Sequence, residues 1–174
     1  MNKFIFSALL IFITTSSFSQ AYYNDENSHE VKLNIGQFLV TTTVELGYEY
    51  YINEDTSIGG TLYFDGKSTD YNGNFGIGPN LRAYFGYGPK SGLFAEVFGL
   101  YYTGEDDDED TANLGNRNYD YSTIALGLGG GYKWATRSQK FTIELNGGLG
   151  RNINPEDFQD DFMFRAGLSL GYRF

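Results

Sequence analysis

The chain has no cysteine, one histidine, one tryptophan and three prolines among its 174 residues. Without cysteine there is no disulfide, no thiolate nucleophile and no lipid-modified cysteine near the N-terminus. His29 is the only imidazole, and Ser28 beside it would point to the opposite face of a strand, so the two form no catalytic dyad. Lys and Arg together number 12 against 22 acids, a formal net charge of -10, which argues against nucleic acid as a partner. Long hydrophobic runs are also missing. The one apolar stretch, Phe4 to Ile13, falls well short of the roughly 20 residues of a spanning helix.

That stretch has another reading. In "MNKFIFSALLIFITTSSFSQ", Lys3 precedes the apolar run, and Ser17 and Ser19 follow at small-x-small spacing. This is the layout of a secretory signal, which assigns residues 1–19 to a removable leader and 20–174 to one domain. What the domain has in abundance is aromatic residues, 18% of the chain, and 23 glycines, a composition that favours strands. Alternation then runs nearly unbroken. Val31, Leu33 and Ile35 face away from Lys32, Asn34 and Gly36, and Phe164 to Phe174 alternate with Arg165 to Arg173. About eight such segments of roughly ten residues are separated by connections of two kinds. "NED", "GYGPKS" and "TRSQK" are short; "DGKSTDYNGN", "GEDDDEDTANLGNRN" and "NINPEDFQD" are longer and polar. The two kinds alternate, with a tight connection expected at "LVTTT". The pattern predicts an all-β, eight-stranded antiparallel up-and-down transmembrane β-barrel.

The direction of the oily face follows from the other face. Gly127, Gly129 and Gly131 lie on the polar side, where a narrow lumen needs room for Tyr84, Phe94 and Phe98. In a hairpin, opposed residues have a constant sum of positions. That rule sets Lys133 opposite Glu144, Arg82 nearly opposite Glu96 and Lys32 near Glu49. These pairs define an expected interior of neutralised charges, to which Arg165, Arg173 and Glu45 add. The outward face carries aromatics near strand ends, among them Tyr48, Phe64, Trp134, Tyr172 and Phe174, as a girdle at a lipid boundary would.

The terminal "GYRF", with Tyr172 and Phe174, resembles the signal by which barrel-assembly machinery recognises its clients, although Ser169 stands where that signal often has Gly. With "VELGYEYYIN", "LRAYFG" and "GYKW" at strand ends, the chain after the leader resembles the small outer membrane β-barrel proteins of the OmpA and OmpX type. The resemblance implies the outer membrane of a Gram-negative bacterium, with membrane lipids, lipopolysaccharide and the assembly machinery as partners. Some outer membrane barrels are enzymes, but with His29 as the single His and no Cys, neither an acyl-transfer site nor a cofactor is expected here.

Three further features bear on function. The run "EDDDED" spaces Asp106, Asp108 and Asp110 like the start of a calcium loop but lacks its Gly and closing Glu, so divalent-cation binding competes there with a solvated loop. "GLGLGGGYKW" lacks the Lys-Ser/Thr of a phosphate loop and is read as a glycine-rich strand. Arg151 falls on the outer face near the external rim, where a lipid phosphate could meet it unless a bulge turns it inward. Pro79 predicts a bulge. The function expected is a non-enzymatic membrane barrel with a structural or surface-interaction role through its external loops. The competing reading is a soluble periplasmic barrel holding a small apolar ligand.

Overall fold

A computed structural model of the protein describes residues 27–65, 73–86, 88–107, 118–153, 155 and 160–174. Eight strands follow one another around a closed barrel: β1 (His29–Asn34), β2 (Val44–Tyr51), β3 (Thr56–Phe64), β4 (Phe75–Phe85), β5 (Gly92–Asp107), β6 (Asn118–Ala135), β7 (Phe141–Ile153) and β8 (Phe162–Arg173). Each pairs antiparallel with its neighbours in sequence, and β1 closes the circle on β8 through Glu30↔Arg173 to Asn34↔Ser169. The start of β1, Phe174 and the short turns share one rim, the turn end; the longer connections depart from the other, the loop end.

Side chains alternate in and out along every strand. Those pointing out are large and apolar, and they are exposed: Leu81, Val97, Leu128, Leu149 and Phe164 are examples. Those pointing in are small, polar or aromatic. The three glycines of β6 face inward, as expected. A Cβ on Gly127 would collide with the Phe98 ring and lie 2.5 Å from the Leu149 carbonyl oxygen, so this position has no room for a side chain.

Four local expectations need correction. The connection at "LVTTT" is a seven-residue helix, α1 (Ile35–Thr41), so Ile35 is not part of β1. Continued as a strand, the chain would aim Phe38 and Val40 into the lumen and Gln37 outward. Instead Asn34 caps the helix by accepting from the Gln37 backbone N–H at 3.1 Å, and Thr42 ends it in the left-handed conformation at φ 62°. Second, β5 and β6 run into the supposed acidic loop, pairing through Asp107↔Asn118, so Asp106 is a strand residue; Asp108 and Asp110 lie outside the described residues. Third, Asn152 and Ile153 belong to β7 and not to the loop after it. Fourth, Pro79 makes no bulge. The β4–β5 register is unchanged on both sides of it, Ile77↔Tyr101 and Asn80↔Phe98, and Pro79 itself faces outward.

The lumen is therefore a fitted interior and not a channel. Gly127→Ala should lower unfolding stability by about 1–3 kcal/mol, because the added carbon meets backbone as well as Phe98. Gly150→Ala should cost clearly less, since a Cβ there meets the flexible Met163 side chain, with Cγ at 2.9 Å. Urea unfolding of the two variants, followed by tryptophan fluorescence in micelles, compares them directly.

Candidate functional site

The lumen has two storeys. Toward the loop end, Tyr63, Phe98, Leu100, Tyr102, Ala125 and Met163 form an apolar cluster. Tyr102 donates from its hydroxyl to Asn152 Oδ1 at 2.9 Å above it. This cluster was missed as a unit, although parity with Glu96 and Arg165 places Leu100 and Met163 inside. Toward the turn end, charged residues from seven strands meet.

Lys133 is the hub of that lower storey. Its ammonium lies 3.1 Å from Glu30 Oε1, 2.8 Å from Glu49 Oε2 and 3.2 Å from Glu144 Oε2, and its side chain is fully buried. It also donates to the Tyr51 and Tyr84 hydroxyls, each at 2.9 Å. Carboxylate oxygens of Glu30, Glu49 and Glu144 all fall within 4.8 Å of one another, a spacing that would suit a metal ion. The Lys133 ammonium occupies the position such a cation would take.

Arg82 bridges the same group. Its Nε sits 2.5 Å from Glu96 Oε2, and its Nη1 reaches Glu144 at 2.8 Å and Glu49 at 3.3 Å. Arg82 and Glu96 are directly opposed, as are Lys133 and Glu144. Lys32 departs from expectation. It is opposed to Gly47, and Glu49 is opposed to Glu30, because the helical connection shifts the β1–β2 register by two residues. The Lys32 stem crosses over Gly47, which has no Cβ to obstruct it, and its Nζ still reaches Glu49 at 2.8 Å on the diagonal and Glu144 at 3.3 Å. Serine and tyrosine hydroxyls complete the group: Ser57 donates to Glu49 at 2.5 Å, and Tyr84 donates to the same oxygen.

Arg173 draws in the turn end. Its Nε donates to Glu30 at 2.7 Å, while its other nitrogens donate to Gln139 Oε1, the Tyr51 hydroxyl and the Lys90 carbonyl. Lys90 and Gln139 hold left-handed backbone in two separate turns, at φ 55° and 56°. One guanidinium thus ties the final strand to both.

The remaining candidates lie elsewhere. His29 accepts or donates at 2.6 Å with the Tyr48 hydroxyl and stacks on Phe174 at 5.6 Å, within an outward aromatic patch that includes Tyr50 and Tyr172. Arg151 is exposed on the outer face, in unbroken register with Leu126 and Phe162. Tyr172 and Phe174 also point outward.

Chemically, this arrangement holds charges in place, and among the described residues each carboxylate of the lower lumen is paired with a cation. Lys133→Met should destabilise the fold by about 3–5 kcal/mol by leaving three crowded carboxylates without their hub. A double-mutant cycle with Glu144→Gln, read by urea unfolding, should give a coupling well above the roughly 0.2–1 kcal/mol of an exposed cross-strand pair.

One solved structure agrees with this architecture. The N-terminal β-barrel domain of Pseudomonas aeruginosa OprF superposes with a TM-score of 0.54 at 13% identity, covering 86% of this chain and all of that one. Neisserial surface protein A is similar at a TM-score of 0.47 and 12% identity, covering 84% of this chain and 94% of that one. No curated protein matches the sequence. The small-barrel resemblance read from the strand ends thus holds at the level of fold. A family model described as "Protein of unknown function (DUF3575)" matches residues 5–161, and with nearly the whole chain so matched, the protein belongs to the DUF3575 family.

Proposed function

We propose that this protein is a non-enzymatic integral barrel of the Gram-negative outer membrane, with a structural or surface-interaction role carried by its loop end. One observation carries the reading: the barrel is inverted relative to a water-soluble one. Its buried side chains include Lys32, Glu49, Arg82, Lys133, Glu144 and Arg173, while Leu, Ile, Val and Phe residues are exposed around its circumference. Water would make both halves of that arrangement costly, whereas acyl chains favour the outer face and mutual pairing sustains the inner one.

Several features support the finer points. Residues 1–19 act as the export signal in this reading. Tyr172 and Phe174 present the aromatic pattern that the assembly machinery takes up. The aromatics at both rims, including Tyr48, Trp134 and Phe141 at one and Phe64 and Phe162 at the other, suit the two lipid–water boundaries. The outward Arg151 suits a lipid or lipopolysaccharide phosphate. A non-enzymatic role is supported by the placement of His29 among aromatics on the outer surface. The soluble alternative fares poorly, because the lumen that would hold an apolar ligand is occupied by the Lys133 network and the Phe98 cluster.

After a urea or carbonate wash, the protein should remain in the membrane fraction, and its gel mobility should differ between boiled and unboiled samples. Release by the wash with no mobility shift would reject the lipid-facing assignment. Protease added to intact cells should cut within the two longest connections between strands, residues 65–74 and 108–117, both at the loop end.

A further inference from the structure

One cation of the barrel stands outside the lumen network. Arg151 points outward from β7 and is exposed, level with Leu126 on β6 and Phe162 on β8. The apolar surface does not stop at this level. Ile124 and Ile153 form the next outward pair toward the loop end, 52% and 51% exposed. Over β7, β8 and the stretch of β6 from Ser122 to Ala135, every other outward side chain is uncharged. Lys32, Arg82, Lys133, Arg165 and Arg173 each have a carboxylate in the lumen. Arg151 has no ion-pair partner among the described residues, although Asp160 and Asp161 lie just before β8. A guanidinium set in a lipid-facing apolar band is unfavourable until an anion meets it.

Below Arg151 the outer face is hollow. A shallow, open groove of about 800 Å³ passes from Arg151 over Leu149 to Gly147 on β7, between Leu128 and Gly130 on one side and Phe164 on the other. Gly130 and Gly147 are directly opposed, and both face outward. Leu128 rises at the groove's edge, and at 68% it is the most exposed large apolar side chain of any strand among the described residues.

The glycine at 147 is not explained by the barrel. Inward Gly127 makes room for Phe98, whereas a Cβ on Gly147 would meet only the Arg165 carbonyl oxygen, at 3.7 Å, which is ordinary contact. Its φ lies outside the left-handed region, so the backbone does not call for glycine either. Glycine inside a strand weakens it, and it marks places where a ligand approaches the backbone closely. Arg151 and Gly147 are four residues apart, about 13 Å of strand. An acyl chain hung from a head at Arg151 would cross Gly147 on its way into the membrane.

We propose that Arg151 and this groove hold one molecule of the lipid anchor of lipopolysaccharide, its phosphate on the guanidinium fork and one acyl chain laid over Gly147. The phosphate offers paired oxygens to the fork, which satisfies the charge that the apolar band leaves unmet. The choice of an outer-leaflet lipid follows from the position of Arg151 toward the loop end. It rests on the membrane placement proposed above, in which that end faces out.

The test uses the folded barrel in sugar-detergent micelles, on samples that show the heat-dependent mobility shift, so that failure of the site leaves the membrane reading standing. Diphosphoryl lipid A, phosphatidylglycerol and inorganic phosphate are titrated separately, and bound molecules are counted by native mass spectrometry. One lipid A per barrel should be retained, with saturation. Arg151→Gln should weaken retention roughly tenfold or more, as loss of a charge-assisted phosphate contact does. Arg151→Lys should keep most of it. Gly147→Leu fills the groove from the lipid side and should weaken retention severalfold while the mobility shift persists. No saturable retention, or retention that either Arg151→Gln or Gly147→Leu leaves unchanged, overturns the site. Phosphatidylglycerol held as tightly as lipid A, with the same dependence on Arg151, overturns the choice of lipid. Binding of inorganic phosphate alone removes the acyl chain from the account, and lipid-free dimers abolished by Gly147→Leu give the groove to a second copy; both overturn the proposal.

Discussion

An eight-stranded barrel encloses a lumen so narrow that every inward side chain must be met by another one. That constraint organises the rest of the structure. Lys133 satisfies Glu30, Glu49 and Glu144 together, and Arg82 links Glu49 and Glu144 to Glu96. No pair in this group stands alone, so removing one member unbalances several others. Large residues follow the same rule. Phe98 lies over Gly127 and near Gly148 and Gly150, on strands that would otherwise crowd it.

The same constraint explains why charge is concentrated at one end. The turn end collects the polar storey, and Arg173 joins it to the turns holding Lys90 and Gln139. The loop end is closed by the apolar cluster of Tyr63, Leu100, Tyr102 and Met163. Two different chemistries plug the two halves. In the proposed membrane setting, neither half leaves a continuous aqueous path, and interaction with the surroundings falls to the wall and the loops.

Much of this was legible in the residues. Alternation assigned inward and outward faces along all eight strands, and the hairpin sum rule matched Lys133 with Glu144 and Arg82 with Glu96 across short turns, where the sum depends on few residues. It set Lys32 near Glu49, and the two do pair, but across a diagonal and not face to face, because a helix, not a tight turn, joins their strands. Phe38, Leu39 and Val40 in succession marked the break in alternation. The extension of β5 to Asp107 was hidden by acidic residues that read as loop, yet backbone pairing with β6 tolerates them.

The sequence by itself determined strand number, the places of the three short turns and which face is oily, because these depend on periodicity and turn chemistry within a few residues. Tertiary structure alone decided that Glu30, Glu49 and Glu144 converge on one ammonium, that Arg173 reaches two turns, and that Arg165 meets Glu45 across the gap left by β1. Those contacts join residues up to 143 positions apart. Only closure of the barrel brings them within reach, and no local pattern encodes how far around the circumference a side chain extends.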